Sequence, residues 1–553
     1  MRRKWKFVTA LAVSVSALVC GCGASSSGTT ETTESVAVAT NEDGTVDMDT
    51  QEATAQTNAE ATLTIGLCQP WDTLSPFSCG ISMYDELTVD LIFDRLVYVT
   101  SNGEILPRGA KSWEFSDDGL SVTFHLDENA TFHDGEPVTA EDWLFSIQTE
   151  TDPDFVCSDR GQLAIFAGTD DAGTELSENS VGAEVIDDYT IKYTFKDVTN
   201  QDTFLMTKAR YLLVVPKHLL EGIEMKDLAE SDFWASPVGS GPCKFVSQVQ
   251  GSELVLEPNT SYQLGAGQYS QLVVKVVDES NVPTAVMTGD IMVAYPALDI
   301  QESQNMIGTD GVNVVKTSSP TQMMYMTINN EKFEDSKFRQ ALNYAIDKQA
   351  ICDNLLAGVA VPVESPVSVT SPYYNTDLVT DYNPEKAKEL LAEAGWDGSQ
   401  TLTMAIPGGL REKIAVMIQQ NLADVGVNID IQVMEATTVF SGAADGTWDL
   451  SLIGDLCGPD PLSLNYMYNP NVISYSNMVT TEFADLDAEI NAEFDDEARA
   501  KLINEFQQKS FDEGCYSYLY QAYDYIIENA ALQGYTDDYT MWNWCSWKWS
   551  VAQ

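Results

Sequence analysis

Histidine is scarce in this 553-residue chain: His125, His133 and His218 are all it has. Imidazole is the commonest metal ligand and the usual general base, so metal chemistry and histidine-driven catalysis are poorly supplied. No H-E-x-x-H pair, G-x-S-x-G elbow or glycine-rich phosphate loop occurs, which removes the main hydrolase and nucleotide-binding signatures. Carboxylates are so numerous that no catalytic pair stands out. None of the ten cysteines forms a C-x-x-C pair, so a zinc ribbon is unsupported. Basic residues are few as well, 29 against 84 acidic ones, for a formal charge of −55. That balance disfavours nucleic acid and anionic lipid as partners. The acid pairs Asp117-Asp118, Asp187-Asp188 and Asp495-Asp496 are scattered, as on a solvated acidic surface rather than in one cation-binding patch.

Long apolar runs are missing too. Phe7 to Val19 is apolar, follows the basic Arg2, Arg3, Lys4 and Lys6, and falls short of the ~20 residues that span a bilayer. It reads as a signal peptide over 1–21. Small Gly21 before Cys22 suits lipoprotein cleavage, with lipidation expected at Cys22; bulky Val19 makes Cys20 the weaker choice. Residues 22–61 are rich in Ser, Thr, Ala, Glu and Gly and read as a disordered tether. The remaining chain of roughly 490 residues exceeds one core and calls for two or more lobes. Eight cysteines lie beyond Cys22; an exported setting permits disulfides. Cys68 and Cys79 are the only pair close in sequence, and buried free thiols fit equally well.

The most informative stretch is 103–145. Leu120, Val122, Phe124 and Leu126 alternate with Ser121, Thr123 and His125 as in a half-buried strand. Asp134-Gly135 marks a turn. Thr139 three residues before Asp142 predicts a capping box opening a helix with Trp143, Leu144 and Ile147. Pro107, Ala110, Ser112-Trp113-Glu114, Thr123 to Leu126 and Phe132 to Asp142 follow one another in fixed order. This order resembles the signature of family 5, the peptide/nickel-type solute-binding proteins of bacterial ABC importers. Asp72 to Pro76, Val215 to Leu219, Pro237 to Pro242 and Phe333 to Lys348 extend the resemblance along the chain.

Phe338, Ala341, Leu342, Ala345 and Ile346 share one helical face, with Gly358 available to end the helix after Leu356. Asn383-Pro384 opens another helix, a third covers about 411–424, and Val427 to Val433 alternate as a strand. The class is therefore α/β. The resemblance implies a bilobed periplasmic-binding-protein-like clamp of type II. Lobe I would be discontinuous over 62–98, 233–318 and 521–553, an insert lobe would cover 99–232, and lobe II 319–520.

All three histidines fall in motifs of the resemblance that serve as scaffold, so a metal-chelate ligand is disfavoured; no metal or cofactor is expected. The resemblance implies capture of an extended peptide whose main chain bonds like an added strand, with a carboxylate holding its α-ammonium group. The corresponding segment here is Trp448 to Pro461. Asp455 stands where relatives carry tryptophan, and Gly458 holds the usual aspartate position after a one-residue shortening. Asp455 or Asp460 is the candidate amine ligand; for each the alternative is a turn aspartate beside proline. Glu435-Ala436 replaces a common Glu-Trp. Tyr325, Met324 and Tyr523 are the other candidate ligand contacts, and Met323 to Met326 also reads as buried strand. The tail tryptophans Trp542, Trp544, Trp547 and Trp549 suit either sugar stacking or sheet packing. The expected protein is a monomeric lipid-anchored receptor on the outer face of the cell membrane, delivering peptides to an ABC permease. An oligosaccharide ligand and a sensing or adhesive surface lipoprotein are the alternatives.

Overall fold

The computed structural model describes residues 58–552 except 78–81, 101–102, 156, 158–159, 210–211, 297–299, 357, 459, 463–464, 469–473, 479–480 and 536–544. The expected lipidation residue Cys22, the tether, Cys79, Trp542 and Trp544 lie outside the described residues.

Two sheets carry the main cores. The first has seven strands in the order Val312–Lys316, Tyr525–Asn529, Val293–Tyr295, Thr62–Leu67, Gln271–Val276, Glu253–Pro258 and Cys243–Val249. Thr62–Leu67 lies mid-sheet, parallel to both neighbours, and is buried on both faces after Thr62. That is the apolar run demanded of a strand covered on two sides. The second sheet orders Ala360–Pro362, Tyr516–Ala522, Gln322–Ile328, Leu450–Leu456, Thr401–Ile406 and Asn428–Val433. Here Thr401–Ile406 is parallel to both neighbours. The chain crosses between the sheets twice, over 317–321 and 523–524.

A third, antiparallel sheet of four strands, Ala110–Phe115, Ser121–Leu126, Thr190–Thr194 and Ala183–Asp187, backs the helix Ala140–Thr151 and has its own core around Phe124, Trp143 and Tyr193. The expected capping box is present: the Thr139 N–H and Oγ–H donate to Asp142 Oδ2 at 2.9 and 2.8 Å. This insert lobe is fastened to the first sheet's lobe by buried charges. Arg108 of the insert lobe bonds Asp90 at 2.8 Å and Asp94 at 2.5 Å, and within the first lobe Arg95 also bonds Asp90, at 2.7 Å.

One local expectation is corrected. The helix from Ser336 stops at Ala345, and a second runs Lys348–Leu355. Ile346 is extended, and the Asp347 side chain accepts the Ala350 N–H at 2.9 Å, capping a new helix start. The apolar face continues, but a capping aspartate inside it outcompetes continuation.

Candidate functional site

Ligands of open α/β sheets bind beyond the carboxyl ends of parallel strands. In the second sheet the carboxyl end of Leu450–Leu456 lies beside Met323 and Met324, next to the crossing at 317–321, and Thr401–Ile406 runs parallel to that strand on its other side. In the first sheet, Leu67 and Tyr295 end neighbouring parallel strands; Tyr295 lies within the electrostatic field of Asp524, in the other crossing segment. Both sets of strand ends thus face the crossings.

Asp524 ties the two crossing segments together. It accepts from Thr321 Oγ1 at 2.6 Å and Gln322 Nε2 at 2.9 Å, and its N–H donates to Thr317 Oγ1 at 3.1 Å. Burial raises its carboxyl pKa against these hydrogen bonds. Tyr523 beside it lies under the Lys316 ammonium, 3.9 Å from the ring centroid, a cation–π contact within the crossing itself.

Asp455 is half-buried on the strand Leu450–Leu456, and its Oδ2 accepts the Tyr325 hydroxyl at 3.2 Å. Tyr325 is fully buried among Tyr516 and Tyr518, so its contribution to the site is the orientation of Asp455. Met324 points to the opposite face of its strand, into the core with Leu450 and Leu452. The run Met323 to Met326 is buried strand throughout. Asp460 is buried, and its Oδ1 accepts the Leu462 N–H at 3.1 Å, bracing the turn after Cys457.

Three residues escaped the sequence reading. Tyr475 lies in the electrostatic field of Asp455, which adds to burial in raising the tyrosine pKa, and Phe440 packs 5.9 Å from the Tyr475 ring. Phe440 stands one helical turn after Ala436 on the helix Ala436–Ala444, so it places an aromatic group on the helical face that Ala436 begins. The third is Arg411, at the start of the helix Leu410–Asp424. Its Nη2 lies against Gly454: a Cβ there would be 2.9 Å from it, so glycine is what admits the guanidinium. Arg411 Nε is buried without a hydrogen bond. Burial lowers the Arg411 pKa, with only Tyr520 and Tyr325 opposing. The legible signal was a cation in the first turn of a helix, where the dipole disfavours it.

Trp547 and Trp549 pack inward, Trp547 against Tyr98 and Tyr262 and Trp549 against Tyr535. Among the described residues, Cys68, Cys243, Cys352, Cys457 and Cys515 are free thiols. Among the described residues no group of three or more His, Cys, Asp or Glu is arranged to hold a metal, and no helix is long and apolar enough to cross a membrane.

The description of bacterial extracellular solute-binding proteins, family 5 (middle region), matches residues 104–475. The oligopeptide-binding protein AppA of Bacillus subtilis is 27% identical over 457 residues, covering 77% of this chain and 80% of its own. Heme-binding protein A of Haemophilus influenzae is 28% identical over 443 residues, covering 75% and 79%. Among solved structures, the ABC transporter substrate-binding protein CtaP of Listeria monocytogenes aligns with a TM-score of 0.79 at 24% identity, over 89% of this chain and 100% of its own. Bacillus subtilis AppA in complex with a nonapeptide aligns at 0.69 and 22%, over 90% and 100%. These likenesses establish the type II bilobed fold.

Proposed function

Because the chain belongs to family 5 of the bacterial extracellular solute-binding proteins, we propose that it captures oligopeptides between its lobes and delivers them to an ABC permease. The observation that carries this reading is a pair of opposite charges at the crossing-side end of the second sheet. Asp455 is oriented by Tyr325, while Arg411 is partly buried with an unbonded Nε and, among the described residues, no ion pair to a carboxylate. A zwitterionic chain supplies both complements: an ammonium for Asp455 on the side of Tyr475, and a carboxylate for Arg411. A half-buried cation left alone is costly, and a ligand carboxylate removes that cost.

Capture proceeds by hinge motion at 317–321 and 523–524, with ligand contacts available only in the closed form shifting the population toward it. Under this reading the receptor is a monomer without cofactor, held at the outer face of the membrane through lipid on Cys22. The inward packing of Trp547 and Trp549 leaves the sugar-stacking alternative without support from these two residues. The test is mass spectrometry of ligands that co-purify with the mature protein. A peptide ladder is the expected result; a glycan or a chelate in its place overturns the proposal.

A further inference from the structure

Away from the crossing strands, the insert lobe touches the second lobe along a narrow seam. The Asn200 N–H donates to Asn491 O at 2.8 Å, and Asn200 Nδ2 donates to Glu493 O at 2.8 Å. The Phe494 ring abuts Gly119 with its tip, where a Cβ would stand 2.0 Å from Cζ. Arg499, on the helix Asp496–Glu513, crosses the seam, and its Nη2 donates to Thr203 Oγ1 at 2.9 Å.

Arg499 is 1% exposed. Its other face meets the Tyr373 ring, 5.4 Å from the centroid, while Nε and Nη1 are buried without hydrogen bonds. Asp202, on the insert-lobe helix Gln201–Thr207, lies in the electrostatic field of Arg499 but forms no ion pair with it. A buried guanidinium with two unbonded nitrogens is a sizeable penalty. Three hydrogen bonds, one ring contact and the field of Asp202 offset it. Contacts of this balance separate easily, unlike the Asp90–Arg108 network that fastens the insert lobe to the first lobe.

We propose that this seam is a latch between the insert lobe and the second lobe, which holds the clamp in the conformation seen here and so sets the apparent affinity for whatever solute that conformation encloses. Gly119 is the latch's seat and Phe494 its bolt; Asn200 fixes the register, and Asp202 tunes the strength through Arg499. Apparent affinity scales with the fraction of molecules in the competent conformation. A tenfold fall in latched population therefore weakens capture about tenfold with no ligand contact altered.

The test uses the full chain without ligand, so its outcome is independent of whether the cargo is a peptide. Two variants are compared with wild type: Phe494→Ala, a partly exposed ring whose loss leaves the cores intact, and Asp202→Lys, which turns attraction toward Arg499 into repulsion. Small-angle scattering should show the radius of gyration of both variants rising by roughly 1 Å on an expected ~23 Å for a compact body of this size. Hydrogen exchange should accelerate several-fold at the Asn200 amide. Exchange that accelerates at Asn200 while the scattering stays unchanged makes the seam local packing and overturns the proposal. So does an absence of change in both.

Discussion

The Tyr325 hydroxyl reaches Asp455 Oδ2 at 3.2 Å across neighbouring antiparallel strands, and this bond joins the second lobe's aromatic core to its candidate amine ligand. The tyrosine is sealed inside, so it aims the carboxylate without meeting the solute. Because Asp455 is half-buried, its charge is screened less than a surface carboxylate, and a ligand ammonium beside it gains accordingly.

Asp455→Asn should weaken binding of a co-purifying peptide by about 2 kcal/mol, roughly thirty-fold. Calorimetry with the same peptide N-acetylated supplies the control, since variant and wild type should then bind it alike. Equal affinity of the two proteins for the free-amine peptide removes Asp455 from the site. Tyr325→Phe should give a smaller loss, near that of one hydrogen bond, about 1 kcal/mol.

Arg411→Met should move two quantities in opposite directions. Ligand-free melting temperature should rise by roughly 1–3 °C, because an unsatisfied polar group is withdrawn from a partly buried position. Affinity for a peptide with a free carboxylate should fall at least tenfold, and amidating that carboxylate should erase the difference. A fall in both melting temperature and affinity assigns Arg411 to the scaffold.

Arg108→Met should destabilise the protein by roughly 3–5 kcal/mol in urea unfolding, since it leaves Asp90 and Asp94 buried beside a neutral side chain. The loss should appear first as exchange and proteolysis within residues 110–195. Uniform destabilisation of all three cores instead shows that the insert lobe does not unfold as a unit.

His133 predicts a pH dependence. Its Nε2 contacts Gly241 O at 3.0 Å and its Nδ1 accepts the Gly239 N–H at 3.2 Å, which requires the neutral ring. Burial lowers its pKa from 6.5 to about 4. The folded state therefore resists a proton that the unfolded chain takes up, and stability rises with pH over this window. The His133 contribution is complete above about pH 6.5 and is lost as pH falls toward 4, by roughly 3 kcal/mol. Urea midpoints at pH 7 and pH 5 measure it, and His133→Asn should flatten that difference while lowering stability at pH 7.

Much of the local structure was legible in the sequence because its causes are local. Val122, Phe124 and Leu126 announced a strand, and Thr139 with Asp142 announced the helix start that the structure contains. The helix break at Ile346 was missed because a capping aspartate, Asp347, stood inside an otherwise continuous apolar face. Phe440 was also within reach, one helical turn from Ala436. Met324 and Tyr325 show the opposite limit. Both sit on a strand beside the crossing, yet burial on either face of a sheet depends on layers contributed from elsewhere in the chain.

By itself the sequence determined the family, the α/β class and the scarcity of histidine, because motif order, periodicity and composition are written along one dimension. Tertiary structure decided which charges are paired. Arg108 meets Asp90 and Asp94, whereas Arg411 meets the bare backbone of Gly454 and Arg499 meets Thr203 nearly three hundred residues away. A charge costs or contributes free energy according to its burial and its neighbours, and in this chain those neighbours come from segments that only the fold brings together.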